Sequence, residues 1–190
     1  TKLSRWILKD LRRFQVNSNL IQLIAFVSGM LSYIVNLYFI FNILRVDYFN
    51  PVVKIFVKLF KPISQLVFFV PNQAVLALVI AVLLKFFGFY MAYGTDYEIA
   101  NLLVIALLAT LNITLQIILY SIIGAVIISW VAQDNDHPLL RLINEISNKV
   151  LAPVKNVIPA FGGLDISPLF GLILIQYLQS FLGGLIQSLV

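Results

Sequence analysis

Four apolar blocks, each long enough to cross a lipid bilayer as a helix, constrain this chain more than any other feature of its sequence. They cover residues 20–44, 74–93, 102–131 and 167–190. About 20 residues of helix cross roughly 30 Å of hydrocarbon. With 61% apolar and only 11% charged residues, the chain also lies outside the composition of soluble domains. The sequence therefore predicts an all-α, polytopic integral membrane protein with four transmembrane helices.

One arrangement of these blocks occurs twice: an apolar block, an X-Pro pair, a short amphipathic stretch, a second proline and another apolar block. The X-Pro pairs are Asn50-Pro51 and His137-Pro138, and the closing pairs are Val70-Pro71 and Ile158-Pro159. The polar positions between them match at one constant offset, with Lys54, Lys58 and Lys61 in the first stretch and Arg141, Glu145 and Asn148 in the second. A duplicated unit explains this most simply.

The opening residues form a basic amphipathic segment. Its five basic residues lie largely on one helical side and its large apolar residues on the other. This pattern is typical of a helix in the headgroup plane, attracted by anionic lipid at about 1 kcal/mol per basic residue; a docking site for a partner is the alternative. We therefore divide the chain into an N-terminal segment (1–19), a first repeat (20–93) and a second repeat (94–190).

The stretches between paired blocks are too apolar for ordinary loops. In the first, apolar residues surround three lysines that fall on one stripe, the spacing of a helix half sunk in the interface. The second stretch is less basic. The lysines are expected to reach lipid phosphates, and they are also candidates for binding a partner.

The second connection ends in the run Gly162-Gly163-Leu164-Asp165-Ile166-Ser167-Pro168. Ser167 before Pro168 is a helix-start signal, in which the serine side chain caps the helix and proline takes the first helical position. Gly162 and Gly163 permit a sharp turn or a close backbone approach before it. We therefore expect the chain to re-enter the membrane here.

This run, with Ile158-Pro159 ahead of it and the string Tyr48-Phe49-Asn50-Pro51, resembles the signature of the YggT family, called YlmG in Gram-positive bacteria and chloroplasts. The resemblance covers nearly everything after about residue 30 and implies a small membrane protein of one or two such repeats. It implies a role in osmotic or envelope stress in proteobacteria, an association with cell-division genes elsewhere, cytochrome complex maturation or nucleoid distribution in plastid relatives, and no enzymatic activity. The arginine pair usual before the Ile-Pro is replaced here by Lys155 and Asn156.

The basic residues favour two opposite orientations. The paired connections carry seven Lys or Arg, whereas residues 94–101 carry none. The positive-inside rule then places the connections in the cytoplasm and both termini outside. The basic opening segment favours a cytoplasmic N-terminus instead, and four spans cannot satisfy both. We predict cytoplasmic connections, because the amphipathic stretches follow the family pattern and the opening segment does not.

Groups that carry catalysis are scarce. A catalytic site needs a nucleophile, a base and an orienting group within reach of one another. The chain has no cysteine, and its one histidine, His137, is flanked by Asp134 and Asp136. These residues are more simply explained as caps of a helix at Pro138 than as a metal or proton site. We expect no enzymatic activity, no catalytic residue, no cofactor and no bound metal.

Polar and small residues in the spans have two interpretations. Their ordinary role is hydrogen bonding and close packing between helices. The alternative is a polar path across the membrane, for which the available residues are Asn36, Asn42, Asn112, Thr114, Gln116, Gln176 and Gln179. Small residues at four-residue spacing occur at Ser121, Ala125 and Ser129 and at Ser180, Gly184 and Ser188. They are packing faces, within one chain or between chains.

Packing faces and interfacial helices are thus abundant, whereas reactive groups are scarce. We predict a non-enzymatic binding, assembly or regulatory subunit of a larger complex in the bacterial cytoplasmic (inner) membrane, linked to osmotic or envelope stress. Its expected partners are the bilayer, anionic headgroups and a membrane protein or further copies of itself, without direct contact to nucleic acid. The candidate contact residues are Lys54, Lys58, Lys61, Arg141, Lys155, Gly162, Gly163 and Asp165. The alternative function is a small homo-oligomeric channel or an osmolyte or ion transport protein.

Overall fold

The computed structural model describes residues 2–66, 72–94, 97–131, 136–157 and 165–189. Regular structure in these ranges is entirely helical: α1 (Lys2–Ile43), α2 (Pro51–Leu66), α3 (Gln73–Tyr93), α4 (Ile99–Val131), α5 (Pro138–Val157) and α6 (Ser167–Gln187). Four segments are long and apolar enough to cross a membrane, namely Ser18–Ile43, Gln73–Tyr93, Ile99–Val131 and Ser167–Gln187. They match the four predicted blocks to within a few residues, so the fold class is confirmed.

The helices follow the predicted order twice, as a long span, an amphipathic helix and a second span. Each amphipathic helix begins at the proline of its X-Pro pair, Pro51 or Pro138. Whether the two halves arose by duplication stays a prediction. The closing pairs Val70-Pro71 and Ile158-Pro159 lie outside the described residues, as do Gly162, Gly163 and Asp134.

Helix α1 is continuous from Lys2 to Ile43. At 1.5 Å per residue it is about 60 Å long, roughly twice the hydrocarbon thickness. The predicted boundary between the N-terminal segment and the first repeat, at residue 19, therefore lies inside one helix and separates its basic part from its apolar part. That the basic part lies in the headgroup plane stays a prediction.

Small residues bring α1 and α3 close together. The hydroxyl of Ser32 donates to the carbonyl oxygen of Ala81 at 2.8 Å, and the hydroxyl of Ser28 donates to the carbonyl oxygen of Leu84. A Cβ atom at Gly88 would lie 3.2 Å from a backbone oxygen of α1. Close backbone approach at small residues is the usual way in which transmembrane helices associate. Hydrogen bonding and close packing, the ordinary role expected of polar and small residues in the spans, is confirmed for Ser28 and Ser32.

Asn36 joins α1 to α4. Its side chain is fully buried. The amide nitrogen donates to the carbonyl oxygen of Thr110 at 2.9 Å, and the amide oxygen accepts from the hydroxyl of Thr114 at 2.9 Å. An unpaired amide in an apolar interior costs several kcal/mol, and here both ends of the amide are paired. Asn36 and Thr114 therefore contribute to helix packing, the more ordinary of their two predicted roles.

The two amphipathic helices bury their apolar faces against the spans. Val53 of α2, with Leu142 and Ile146 of α5, belongs to one buried cluster with Ile40 and Phe41 at the end of α1. In the second half of α2, the ring of Phe60 stacks on that of Tyr38 in α1, with ring centroids 4.2 Å apart. Both predicted amphipathic stretches are thus helices with one buried face, and their polar faces are available at the surface.

Candidate binding groove

The two X-Pro pairs meet each other. The side-chain oxygen of Asn50 accepts from the N–H of Val52 at 2.9 Å, and its amide nitrogen donates to the carbonyl oxygen of Pro138 at 2.8 Å. Proline suits the first helical position, because its missing N–H would have had no helical partner there. Asn50 is only 6% exposed. It therefore caps α2 and also ties the start of α2 to the start of α5.

His137 has the capping role that its position suggests. Its Nδ1 accepts from the N–H of Leu139, the second residue of α5, at 3.3 Å. No group of three or more His, Cys, Asp or Glu side chains that could hold a metal occurs among the described residues. The interpretation of His137 as a helix cap is confirmed.

A second contact between the halves involves α5 and the turn after α1. Glu145 Oε1 accepts from the N–H of Asp47 at 2.9 Å and lies 2.7 Å from the ammonium nitrogen of Lys149. The same ammonium donates to the carbonyl oxygen of Arg45. This contact is absent from the sequence predictions, although Glu145 and Lys149 are four residues apart, a spacing that favours an ion pair on a helix.

The lysine stripe of α2, defined as Lys54, Lys58 and Lys61, is exposed, as predicted. The ammonium of Lys54 lies 5.7 Å from the centroid of the Phe49 ring, within the range of a cation–π contact. Beside the stripe, apolar Ile55 and Leu59 are also exposed, at 59% and 62%. A basic side next to an exposed apolar side suits a helix at the headgroup boundary.

The structure joins two of the candidate contact residues across helices. The ammonium nitrogen of Lys155 on α5 lies 3.1 Å from Asp165 Oδ2. It also donates to Asn148 Oδ1 at 3.3 Å. Arg141 is exposed in the first turn of α5, and no contact joins its side chain to Lys155 or Asp165. Among the described candidates, Lys155 and Asp165 therefore form one contact, and Arg141 lies about four turns of α5 away from Lys155.

The predicted capping role of Ser167 is wrong, and Asp165 has it instead. Helix α6 begins at Ser167, and the preceding residue, Ile166, provides no side-chain cap. Asp165 Oδ1 accepts from the N–H of Ser167 at 2.9 Å. An aspartate readily accepts from the N–H two residues later, because this closes a favourable local turn. Ser167 is buried, with 1% of its surface exposed.

Gly171, which the sequence predictions omit, brings α6 against α5. A Cβ atom at this position would lie 2.5 Å from Leu151 Cδ2, so no larger residue fits without a shift of that side chain. Leu151 belongs to a buried cluster with Ile122 of α4 and Ile175 of α6. The three helices of the second half are therefore held together just inside the point at which α6 begins.

An open groove of about 740 Å³ lies next to this cluster, between the end of α4, the middle and second half of α5 and the start of α6. Its lining includes Trp130, Asn148, Lys155, Asp165 and Leu169. We call it the α4–α6 groove. Trp130 is 82% exposed. The groove thus combines an aromatic side chain, an amide, an ion pair and apolar walls.

Hydrogen bonds hold the pKa of the Asp165 carboxyl below its usual range. The largest cause is the bond from the Ser167 side chain; slight burial opposes it, and the Ser167 N–H and the Lys155 ammonium lower the pKa further. The carboxylate form is therefore favoured at neutral pH. It accepts at the start of α6, where the helix dipole also favours negative charge.

We expect Asp165→Ala to destabilise the protein by about 1 kcal/mol, the usual cost of losing a helix cap, and Asp165→Asn to have a smaller effect. Because the folded pKa is depressed, the contribution of the carboxylate is present above its unfolded pKa of about 3.9 and is lost as pH falls through the folded pKa. Melting of the full chain in detergent from pH 7 to pH 3 measures this. The difference in melting temperature between wild type and Asp165→Ala should become smaller towards pH 3, and Glu98→Gln is the control carboxylate. A difference that stays constant over this pH range would contradict the role of the Asp165 carboxylate as the cap of α6.

Comparison with known proteins shows which family this chain is similar to. The CCB3/YggT family profile matches residues 104–186, which contain most of α4 and all of α5. An uncharacterized protein of Pseudomonas aeruginosa is 30% identical over 173 residues, covering 86% of this chain and 88% of that protein. The chain belongs to the CCB3/YggT family. The uncharacterized protein YggT of Escherichia coli K12 is 24% identical over 170 residues, covering 84% of this chain and 90% of its own length.

A further relative shows a comparable degree of similarity. An uncharacterized protein of Haemophilus influenzae is 29% identical over 150 residues, covering 76% of this chain and 81% of that protein. No solved structure matches the chain significantly. The resemblance drawn from the signature is thus confirmed, and two of the signature residues of this CCB3/YggT protein have physical roles in the structure: Asp165 caps α6, and Pro168 lies in its first turn.

Proposed function

We propose that this CCB3/YggT protein is a non-enzymatic subunit of a larger complex in the bacterial cytoplasmic (inner) membrane, where it binds and assembles or regulates its partners under osmotic or envelope stress. The observation that carries the proposal is the α4–α6 groove. Exposed aromatic residues beside polar groups and apolar walls are typical of the centres of protein interfaces. Trp130 is the proposed anchor for a partner segment, and the ion pair of Lys155 with Asp165 borders it.

The polar interior supports binding over conduction through a single chain. Asn36, Thr110 and Thr114 bond to one another or to helix carbonyls, and the hydroxyl of Ser32 bonds to α3. Their hydrogen-bonding groups are occupied by protein instead of facing a continuous aqueous path. The lysine stripe of α2 has a separate role in this proposal, which is to hold anionic headgroups beside the complex.

Affinity purification of the tagged full chain from its native membrane, followed by mass spectrometry, tests the proposal. Wild type should recover a membrane protein partner in stoichiometric amount. Trp130→Ala should reduce its recovery roughly tenfold or more, because buried aromatic anchors carry much of the binding energy of an interface. Phe87→Ala is the matched control, since Phe87 is an exposed aromatic on α3, away from the groove.

Recovery of this chain alone would contradict the proposal. Ion or osmolyte flux through liposomes that contain only the purified protein would then support the alternative, a homo-oligomeric channel. Equal loss of partner in Trp130→Ala and Phe87→Ala would remove the groove as the binding surface while leaving the partner itself established.

A further inference from the structure

Helix α6 packs against the rest of the chain less than any other span does. Only 11% of its most apolar window is buried, against 28% to 33% in the other three spans. Its first half is held by Gly171 against Leu151. In its second half, a Cβ atom added at Gly183 or at Gly184 would have no neighbour within 4 Å. Around Gly183 and Gly184, α6 therefore has no close neighbour within the described chain.

Midway along α6, Gln176 presents its carboxamide on the exposed surface. It makes no hydrogen bond with any part of the described chain, whereas the amide of Gln116 on α4 donates to the hydroxyl of Tyr120 at 3.2 Å. Ser180, one turn further, is also without a hydrogen bond among the described residues, whereas Ser121 bonds to the carbonyl oxygen of Ile117. The hydrocarbon at this depth contains no water to satisfy a carboxamide, so a lipid-facing Gln176 is unfavourable.

Gln176 and Ser180 lie on one line with Gly183 and Gln187. At 100° per residue, Gln176, Ser180, Gly183 and Gln187 fall within about 60° of one another on the surface of α6. We call this line the Gln176 stripe. Its spacing of four, three and four residues is the spacing by which two helices pack along a shared seam. The stripe carries polar or small groups, and exposed apolar residues such as Leu174 and Leu185 lie well away from it around the helix.

We propose that the Gln176 stripe is the interface between two copies of this chain, with α6 packed against α6 of the second copy. A carboxamide donates and accepts, so Gln176 is complementary to itself. A two-fold axis places a residue near that axis next to its own copy, and the Gln176 amides can then pair. Gly183, which lacks a side chain, allows the two backbones to approach closely.

A second copy suits the stripe better than lipid does. Lipid tails would cover the apolar side chains of α6 equally well, but they would leave the amide of Gln176 unpaired. The α4–α6 groove lies beside the start of α6, and the stripe lies along its second half. The proposed dimer goes beyond the proposed assembly role and uses a different part of α6.

Disulfide crosslinking in the native membrane tests the interface, because the chain has no cysteine of its own. Ser180→Cys lies on the stripe. Leu174→Cys is the matched control, since Leu174 is 52% exposed on the same helix and about 160° around it from Gln176. With copper phenanthroline as oxidant, Ser180→Cys should form a disulfide dimer of twice the chain mass at several times the yield of Leu174→Cys.

A second substitution tests the role of the amide. Gln176→Leu, combined with Ser180→Cys, should reduce the dimer yield several-fold and weaken association in detergent roughly tenfold, the range expected for hydrogen bonds between transmembrane helices. Gln116→Leu in the same background should leave the yield unchanged. Both variants should melt as the parent does in the monomeric state, because neither residue bonds to another helix within the described chain.

Equal yields at positions 174 and 180, or no dimer at either, would overturn the proposed interface. An adduct of Ser180→Cys with a different protein would overturn the choice of a second copy. Recovery of the groove partner by the Ser180→Cys protein, in which Gln176 is intact, separates the two proposals: if this protein forms no dimer and the partner is still recovered, only the interface is wrong.

Discussion

Replacing Gly88 by leucine is expected to lower the free energy of unfolding by about 3 kcal/mol, because overpacking of a tight contact has a cost of this size. A Cβ atom at this position already lies 3.2 Å from the carbonyl oxygen of Ala25 and 3.4 Å from Ser28 Cβ. The closest neighbour is backbone, which cannot rotate away. A leucine therefore separates α1 from α3 and weakens the bonds from Ser28 and Ser32 to the carbonyls of α3.

Gly29→Ala is the control for this prediction. The nearest atom to a Cβ at Gly29 is the ammonium nitrogen of Lys85, 4.0 Å away at the end of a flexible side chain. Alanine also has the higher helix propensity, so we expect an unchanged or slightly raised stability. Thermal melting of the purified full chain, followed by loss of the monodisperse peak on size exclusion, compares the two. A Gly88→Leu protein as stable as Gly29→Ala would contradict the packing of α1 on α3.

Asn50→Ala is expected to destabilise the protein by about 2–3 kcal/mol. The substitution removes the cap of α2, which contributes about 1 kcal/mol, and the buried hydrogen bond to the carbonyl oxygen of Pro138. The carbonyl oxygen of Pro138 also loses its side-chain donor at the point where the two halves meet. The effect should therefore exceed that of an ordinary cap and should loosen α2 from α5.

His137→Ala is the natural comparison, because His137 precedes the proline of α5 as Asn50 precedes that of α2. The capping bond of His137 is longer, at 3.3 Å, and exposed, so a loss of about 0.5 kcal/mol or less is expected at this exposed site. Proteolysis at the α4–α5 and α1–α2 connections, alongside melting, shows which half loosens. Equal effects of the two substitutions would mean that the bond from Asn50 to Pro138 adds nothing beyond a cap.

Hydropathy and helical periodicity predict most of this fold. The four spans and the starts of α2 and α5 follow from block length and from proline at the first helical position, which are local signals. The sequence predicts the cap of α6 wrongly, because Asp165 and Ser167 are both good acceptors and sequence alone does not rank them. The backbone conformation decides between them.

Contacts between the halves could not be predicted, since nothing in the local sequence of Asn50 indicates the carbonyl of Pro138 as its partner. The same holds for Glu145 and the N–H of Asp47, which are far apart along the chain. Gly171 is one glycine among several in apolar segments, and only the position of Leu151 distinguishes it. The candidate groove therefore emerges from packing, although two of its residues, Lys155 and Asp165, are recognisable as candidates from the sequence.

Site-specific photocrosslinking in the living cell tests the central claim, binding of a partner in the α4–α6 groove, most directly. A benzophenone amino acid in place of Trp130 should, on irradiation, give one adduct with a membrane protein of constant mass and in high yield. The same amino acid in place of Phe87 should react only with lipid. A protein adduct at 130 and none at 87 is the predicted result; no protein adduct at 130, or the same adducts at both positions, would contradict the binding of a partner in the groove.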